Sequence, residues 1–417
     1  MRRLVAVMAV MLWAAEVRAG ESWSQFRGPG GDGHSDSTGL PLTWSEKSNV
    51  AWKTAIPGRG WSSPVVWGKQ VWLTTATTDG KEMSAICVDR ETGRIVHNVR
   101  LFRNAKPGTL NSFNSYASPT PVIEAGRVYV HFGSYGTACL ETATGGTVWV
   151  RRDLKCDHGV GPGASPVLTG GKLVLVLDGM DVQYVVALEA ATGRTAWRTD
   201  RSVDFGNANG DVRKAFATPA LLRVGGREQL VCPGAWAAIA YEPATGKEIW
   251  KVRYGRGYST APRPVLAAGL VLVHSGFSRH ELHAVRPDGR GDVTDTHVAW
   301  RLRGAPAKPS PLAVGELVYL TLDRGVLTCI DAKTGRRVYR HRLPGGCSAS
   351  PIYADGRIYV FGEKGTTTVV QPGRELKQLA ANQLDAGCMA TPAVAGKAFY
   401  VRTKTHLYRI EKRPAGP

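Results

Sequence analysis

The sequence predicts an all-β fold: an eight-bladed β-propeller of four-stranded antiparallel blades, with the last blade closed by an N-terminal strand. Three observations carry this. A proline-anchored phrase recurs eight times, a turn-plus-aromatic phrase follows most copies, and the two ends of the chain are complementary. The first phrase is a small or hydroxyl residue, Pro, an apolar pair, a Gly turn and an alternating apolar strand. Its copies sit at Pro64, Pro119, Pro166, Pro219, Pro262, Pro311, Pro351 and Pro392, at an average interval of about 47 residues. Units of that size mean a propeller or solenoid rather than separate domains.

The second phrase runs apolar-acid-x-x-Thr-Gly and reaches an aromatic four residues on. Glu141, Thr144-Gly145 and Trp149 form one copy; Glu189, Thr192-Gly193 and Trp197 the next; Glu242, Thr245-Gly246 and Trp250 a third. Asp331 leads to Tyr339 in the aromatic place, and Asp89 leads to His97. An acid opening a tight turn accepts the N–H groups of that turn, and Gly supplies the positive φ that closes it. The aromatic on the next strand then fills the gap between neighbouring sheets. Trp52, Trp149, Trp197, Trp250 and Trp300 are therefore expected to pack between blades. Units five and seven depart from the phrase, at Arg286-Pro287-Asp288-Gly289 and Gln371-Pro372-Gly373, and a seven-blade ring would lose one of these.

At the ends, the eighth unit stops after His406 to Ile410 without an aromatic strand, while Asn49 to Lys53 is an orphan Trp strand. Pairing the two removes an open edge and locks the ring. The expected organisation is a signal peptide at 1–19, an N-terminal arm at 20–48, the propeller at 49–410 and a tail at 411–417. Arg2 and Arg3, an apolar run from Leu4 to Ala15 and Val17-Arg18-Ala19 make a secretory leader cut after Ala19, too short to span a bilayer. The product is expected to be exported to the periplasm or the extracellular space and to be monomeric.

The net charge is +19, yet the basic residues are dispersed and the longest clusters are pairs such as Arg151-Arg152. That pattern describes a generally basic surface and excludes a specific nucleic-acid footprint. Seven cysteines stand singly without any C-x-x-C spacing, which argues against zinc ribbons and redox pairs. P-loop, G-x-S-x-G and H-E-x-x-H signatures are missing from the sequence, so no catalytic or metal-ligating residues are assigned.

The two phrases together resemble the pyrroloquinoline-quinone-like repeat of eight-bladed quinoprotein propellers, over about residues 49 to 410. Trp23-Ser24-Gln25-Phe26-Arg27-Gly28-Pro29-Gly30 resembles the start of secreted planctomycete propellers of this group. The resemblance implies one of two activities. One branch is non-catalytic and similar to the outer-membrane assembly protein BamB, with no cofactor. The other is the quinone-dependent oxidoreductases of alcohols or sugars, which use pyrroloquinoline quinone (PQQ) with Ca²⁺. The binding branch is the expectation, with an envelope protein, peptide or polysaccharide, acidic in character, as partner. A propeller brings equivalent strand ends onto one face, so Asn114, Tyr116, His158, Lys214, Arg263 and Lys308 are expected to converge at one channel mouth. Asp178 and Asp181 join them as the best carboxylate pair, read as a turn motif ahead of a Ca²⁺ site.

Overall fold

The computed structural model describes residues 20–413; the expected leader at 1–19 and residues 414–417 lie outside this range. Eight four-stranded antiparallel blades form the ring, two of them extended by a short parallel strand, His34–Ser35 on blade 7 and Gly291–Asp292 on blade 4. Blade 1 shows the unit, with strands Val65–Trp67, Gln70–Ala76, Glu82–Asp89 and Ile95–Arg103 from the axis outward. The short first strand of each blade is innermost, because first strands of adjacent blades touch one another. The second and third strands are buried on both faces, as in Gln70–Ala76 and Lys172–Asp178. This explains their continuous apolar runs, whereas fourth strands such as Thr195–Asp200 keep exposed positions.

The core is correspondingly a ring of clusters shared between neighbouring blades, the largest of them joining blades 7, 8 and 1 with the N-terminal arm. Trp72 and Cys87 of blade 1 pack with Val128 and Leu140 of blade 2, and Tyr319 of blade 6 packs with Ile358 of blade 7. All seven cysteines are buried free thiols.

The second phrase explains itself as an inter-blade lock. Asp89 accepts the Thr92 N–H and hydroxyl, and Asp331 does the same for Thr334. The Gly of each turn has φ near +70° and forms a bare platform for the aromatic of the preceding blade. Trp149 lies over Gly193, Trp197 over Gly246 and Trp300 over Gly335. Each indole N–H also donates to the carbonyl three residues before that Gly: Ala190, Pro243 and Ala332. His97 takes the same place over Gly145. Trp250 differs because unit five lacks the Thr-Gly turn. Its indole donates to Gln229 Oε1, and Gln229 in turn donates to Pro287 O across the blade boundary. Blade 5 nevertheless has its fourth strand at Val298–Arg303, and blade 7 has Lys377–Gln383 without a tryptophan. The ring therefore has eight blades.

Val50–Ala55 pairs antiparallel with His406–Glu411, forming the outer strand of blade 8. Trp52 then sits over Gly93 of blade 1 and donates to Arg90 O, so the first and last units interlock as any other pair does.

The repeat register needs correction in two units. Every inner strand starts directly after a proline, and in blades 2 and 5 those prolines are Pro121 and Pro264, since the strands are Val122–Glu124 and Val265–Ala267. Ser118-Pro119 and Ala261-Pro262 lie one dipeptide upstream; two consecutive x-Pro pairs made the register ambiguous in sequence.

Candidate functional site: a blind central funnel

The N-terminal arm closes one end of the central channel. Trp23 bridges Val66 of blade 1, Ser24 O accepts Ile123 N–H of blade 2, and Gly33 O accepts Tyr353 N–H of blade 7. Arg27 is fully buried and donates to Asp32 O and, at 2.7 Å, to Pro311 O of blade 6. Trp44 then wedges against Tyr359, Phe361 and Phe399. Glycine is required at Gly31 and Gly33, where φ is +70° and +90° and a Cβ would strike the guanidinium groups of Arg263 and Arg27.

Above this plug a cavity of about 1150 Å³ opens to the opposite face. Phe26 of the arm contributes to its lining, and Trp61, Phe113, Phe216, Tyr258 and Phe277 supply further aromatic walls. Phe113 and Phe277 are 58% and 53% exposed, the most exposed large hydrophobic side chains among the described residues. Phe113 is carried by the 104–116 connection, which Asn114 anchors by donating to Val160 O at 2.9 Å; Trp61 donates to Phe113 O. The ammonium of Lys308, from blade 6, lies 5.6 Å from the Phe113 ring.

The charged lining is mostly cationic: Lys214, Lys308, Arg324, Arg340 and Arg342 against Asp211 and Asp323. Lys214 is buried and bonds the Asp211 carboxylate, and Lys308 bonds Glu363 at 3.1 Å. Among the described residues, Arg324, Arg340 and Arg342 have no carboxylate partner, so the field along that wall stays positive.

Of the sequence-expected mouth residues, Asn114, Lys214 and Lys308 line this cavity. Five others lie elsewhere, and each placement has a physical reason. Tyr116 is buried between blades 1 and 2, donating to Gly108 O at 2.8 Å. His158 is half-buried with its Nε2 accepting Ser134 N–H, and desolvation pushes it down to about 4, so it is neutral. Burial also pushes the adjacent Cys156 thiol up, so the pair is not a thiolate–imidazolium. Asp178 is consumed by a two-pronged ion pair with Arg201, at 3.0 and 2.7 Å, with both side chains out of water. Asp181 caps a loop by accepting Asp157 N–H. Arg263 points into the plug, donating to Phe26 O at 2.6 Å and to Gln25 Oε1. Burial lowers Arg27 to about 9 and Arg263 to about 10, which leaves both charged at neutral pH.

The donor set does not fit a quinone–Ca²⁺ site. Among the described residues no group of three or more His, Cys, Asp and Glu side chains could hold an ion. The Asp178–Asp181 pair is already engaged as described, and Asp211 is held by Lys214.

Sequence reasoning missed the aromatic walls, the plug and a ring of hydroxyls. The hydroxyl residue of the first phrase, read as a strand-start signal, links the blades. Ser63 N–H donates to Thr120 Oγ1, Thr120 N–H to Ser165 Oγ and Ser165 N–H to Thr218 Oγ1. Arg263, Ser310 and Ser350 donate likewise to Ser310, Ser350 and Thr391.

Comparison with known proteins accords with this architecture. The sequence model of the family described as "Outer membrane protein assembly factor BamB" matches residues 43–235 and 237–411. The BamB protein of Burkholderia pseudomallei is 32% identical over 147 residues, which are 34% of this chain and 38% of that relative's length. Among solved structures, BamB from Moraxella catarrhalis superposes with a TM-score of 0.60 at 13% identity, over 87% of this chain and 99% of that one. A europium-containing methanol dehydrogenase superposes with a TM-score of 0.56, also at 13% identity, over 92% and 89% of the two chains. At these identities the structural likenesses establish the fold alone.

Proposed function

The chain belongs to the BamB outer-membrane assembly factor family, and from that premise we propose that it is an exported, non-catalytic propeller that holds a segment of an envelope protein in its funnel. The observation that carries this reading is the funnel itself: blind, walled by aromatics and lined by an excess of cations. Exposed aromatics beside cationic groups are the composition of a peptide-binding site, with Phe113 and Phe277 as apolar anchors and the basic wall selecting acidic sequence. The carboxylates of its lining, Asp211 and Asp323, serve as ion-pair partners of Lys214 and Lys308. The leader-like composition of Met1–Ala19 supports export, and among the described residues no helix is long and apolar enough to cross a membrane.

Photocrosslinking tests the proposal. A benzophenone side chain at position 113 or 277 should trap an envelope protein, and excess acidic peptide should suppress the trapping. The same group at Val148, on the outer strand of blade 2, should trap nothing in common with them. Crosslinking from 148 with none from 113 or 277 would move the binding surface to the blade edges.

A further inference from the structure

The floor of the funnel has a chemistry that the repeat phrase conceals. Thr120, Ser165, Thr218, Ser350 and Thr391 all line the cavity, and each is at least 96% buried. Each hydroxyl oxygen accepts a backbone N–H from the preceding blade, at 2.9 to 3.0 Å. Among the described residues, none of the five hydroxyls donates to a protein acceptor in return. Five buried O–H donors are thus gathered around one axis with their acceptor sides taken and their protons uncommitted. Accepting an N–H polarises a hydroxyl and makes it a stronger donor, so the ring favours a group that only accepts.

Two further facts narrow the ligand. Arg324, Arg340 and Arg342, without carboxylate partners among the described residues, line the same cavity, so an acceptor bearing negative charge is favoured over a neutral one. The channel is blind, because the arm from Trp23 to His34 is bonded to the inner strands of blades 1, 2, 6 and 7. A polymer therefore cannot thread through and must enter by an end or a tight loop. The amino end of a polypeptide is a cation without acceptors, unsuited to a donor ring under a cationic wall. The carboxyl end is an anion with acceptors only.

We infer that the ring of Thr120, Ser165, Thr218, Ser350 and Thr391 is a subsite for the terminal carboxylate of a polypeptide inserted end-first into the funnel. The inference rests on the protein-binding reading above. Aromatic contacts at the mouth would hold the preceding side chains, so affinity comes from the rim and polarity of insertion from the floor.

The experiment uses the full mature chain and two pools of N-acetylated random heptapeptides, identical except that one ends in free carboxylates and the other in carboxamides. Retention on the protein is measured by size exclusion and mass spectrometry. The free-acid pool should be retained at least about tenfold more than the amide pool. Thr218→Val should abolish that preference and Thr218→Ser should keep it, with circular dichroism confirming that both variants are folded. Should Thr218→Val not fold, Thr120→Val and Thr120→Ser form the same contrast in another blade. Equal retention of the two pools, retention of neither, or enrichment only of amidated peptides rich in internal Asp and Glu would overturn the inference. Inorganic phosphate at the concentration of the peptides should not displace the acid pool; displacement would assign the ring to free anions instead. Trapping of an envelope protein from position 113 alongside equal retention of the pools would sink the carboxylate subsite alone. Retention of the acid pool without any trapped partner would sink the envelope-protein reading alone.

Discussion

The lock between Trp149 and Gly193 can be tested by a double-mutant cycle, and its size follows from the contact. Trp149 is 9% exposed, and an ideal Cβ on Gly193 would lie 2.7 Å from the indole ring. Trp149→Ala removes a buried aromatic, a loss of about 3–5 kcal/mol, and strips Ala190 O of its 2.9 Å partner. Gly193→Ala places an L-residue at φ +73°, costing about 1–2 kcal/mol, and in addition drives the indole off its platform. In the double variant no indole remains to be displaced, so that second part vanishes. The two single losses should therefore exceed the double loss by about 1–3 kcal/mol. Chemical denaturation followed by circular dichroism and by fluorescence supplies the free energies, with coincident transitions as the check on two-state behaviour. Losses that add to within about 0.5 kcal/mol would refute the platform argument, because independent sites behave that way.

Deleting residues 20–55 should abolish cooperative folding, since it removes the plug, the Val50–Ala55 strand and Trp52 together; a truncated protein melting at the same temperature would refute ring closure. Burial holds His131 and His274 at about 3 and His158 at about 4, against about 6.5 in the unfolded chain. Between pH 6.5 and about 4 the unfolded state binds protons that the fold refuses. Stability should then fall with pH by up to about 1.4 kcal/mol per unit for each histidine, and His274→Gln should flatten the slope measured by urea midpoints. A midpoint unchanged between pH 7.5 and 5 would contradict this. Lys214→Met combined with Lys308→Met should weaken binding of an acidic peptide at least about tenfold, as each charge-assisted contact contributes roughly 1.5–3 kcal/mol. Fluorescence anisotropy reads this, and unaltered affinity in the folded double variant would exclude the two lysines as readers of acidic sequence.

Blade number, strand order and ring closure were legible before any coordinates, because they are written in local patterns repeated many times. A turn acid, a Thr-Gly and an aromatic specify a hairpin and its docking partner within a dozen residues, and repetition averages out the exceptions at units five and seven. Where local chemistry was duplicated, as in Ser118-Pro119-Thr120-Pro121 and Ala261-Pro262-Arg263-Pro264, the pattern alone could not choose the register, and the inner-strand pairing did. The funnel was a different matter. Arg263 is next to a strand-start proline like the mouth residues, yet its side chain turns to the plug, because only the folded arm brings Phe26 O and Gln25 Oε1 within reach, 237 and 238 positions away. Asp178 meets Arg201 and leaves the ligand field for the same reason: a buried charge takes whichever partner the tertiary fold supplies. The hydroxyls before the prolines were visible as letters in the repeat. Their meaning as a ring of uncommitted donors exists only once eight blades surround a single axis, since it depends on which neighbour each oxygen accepts from.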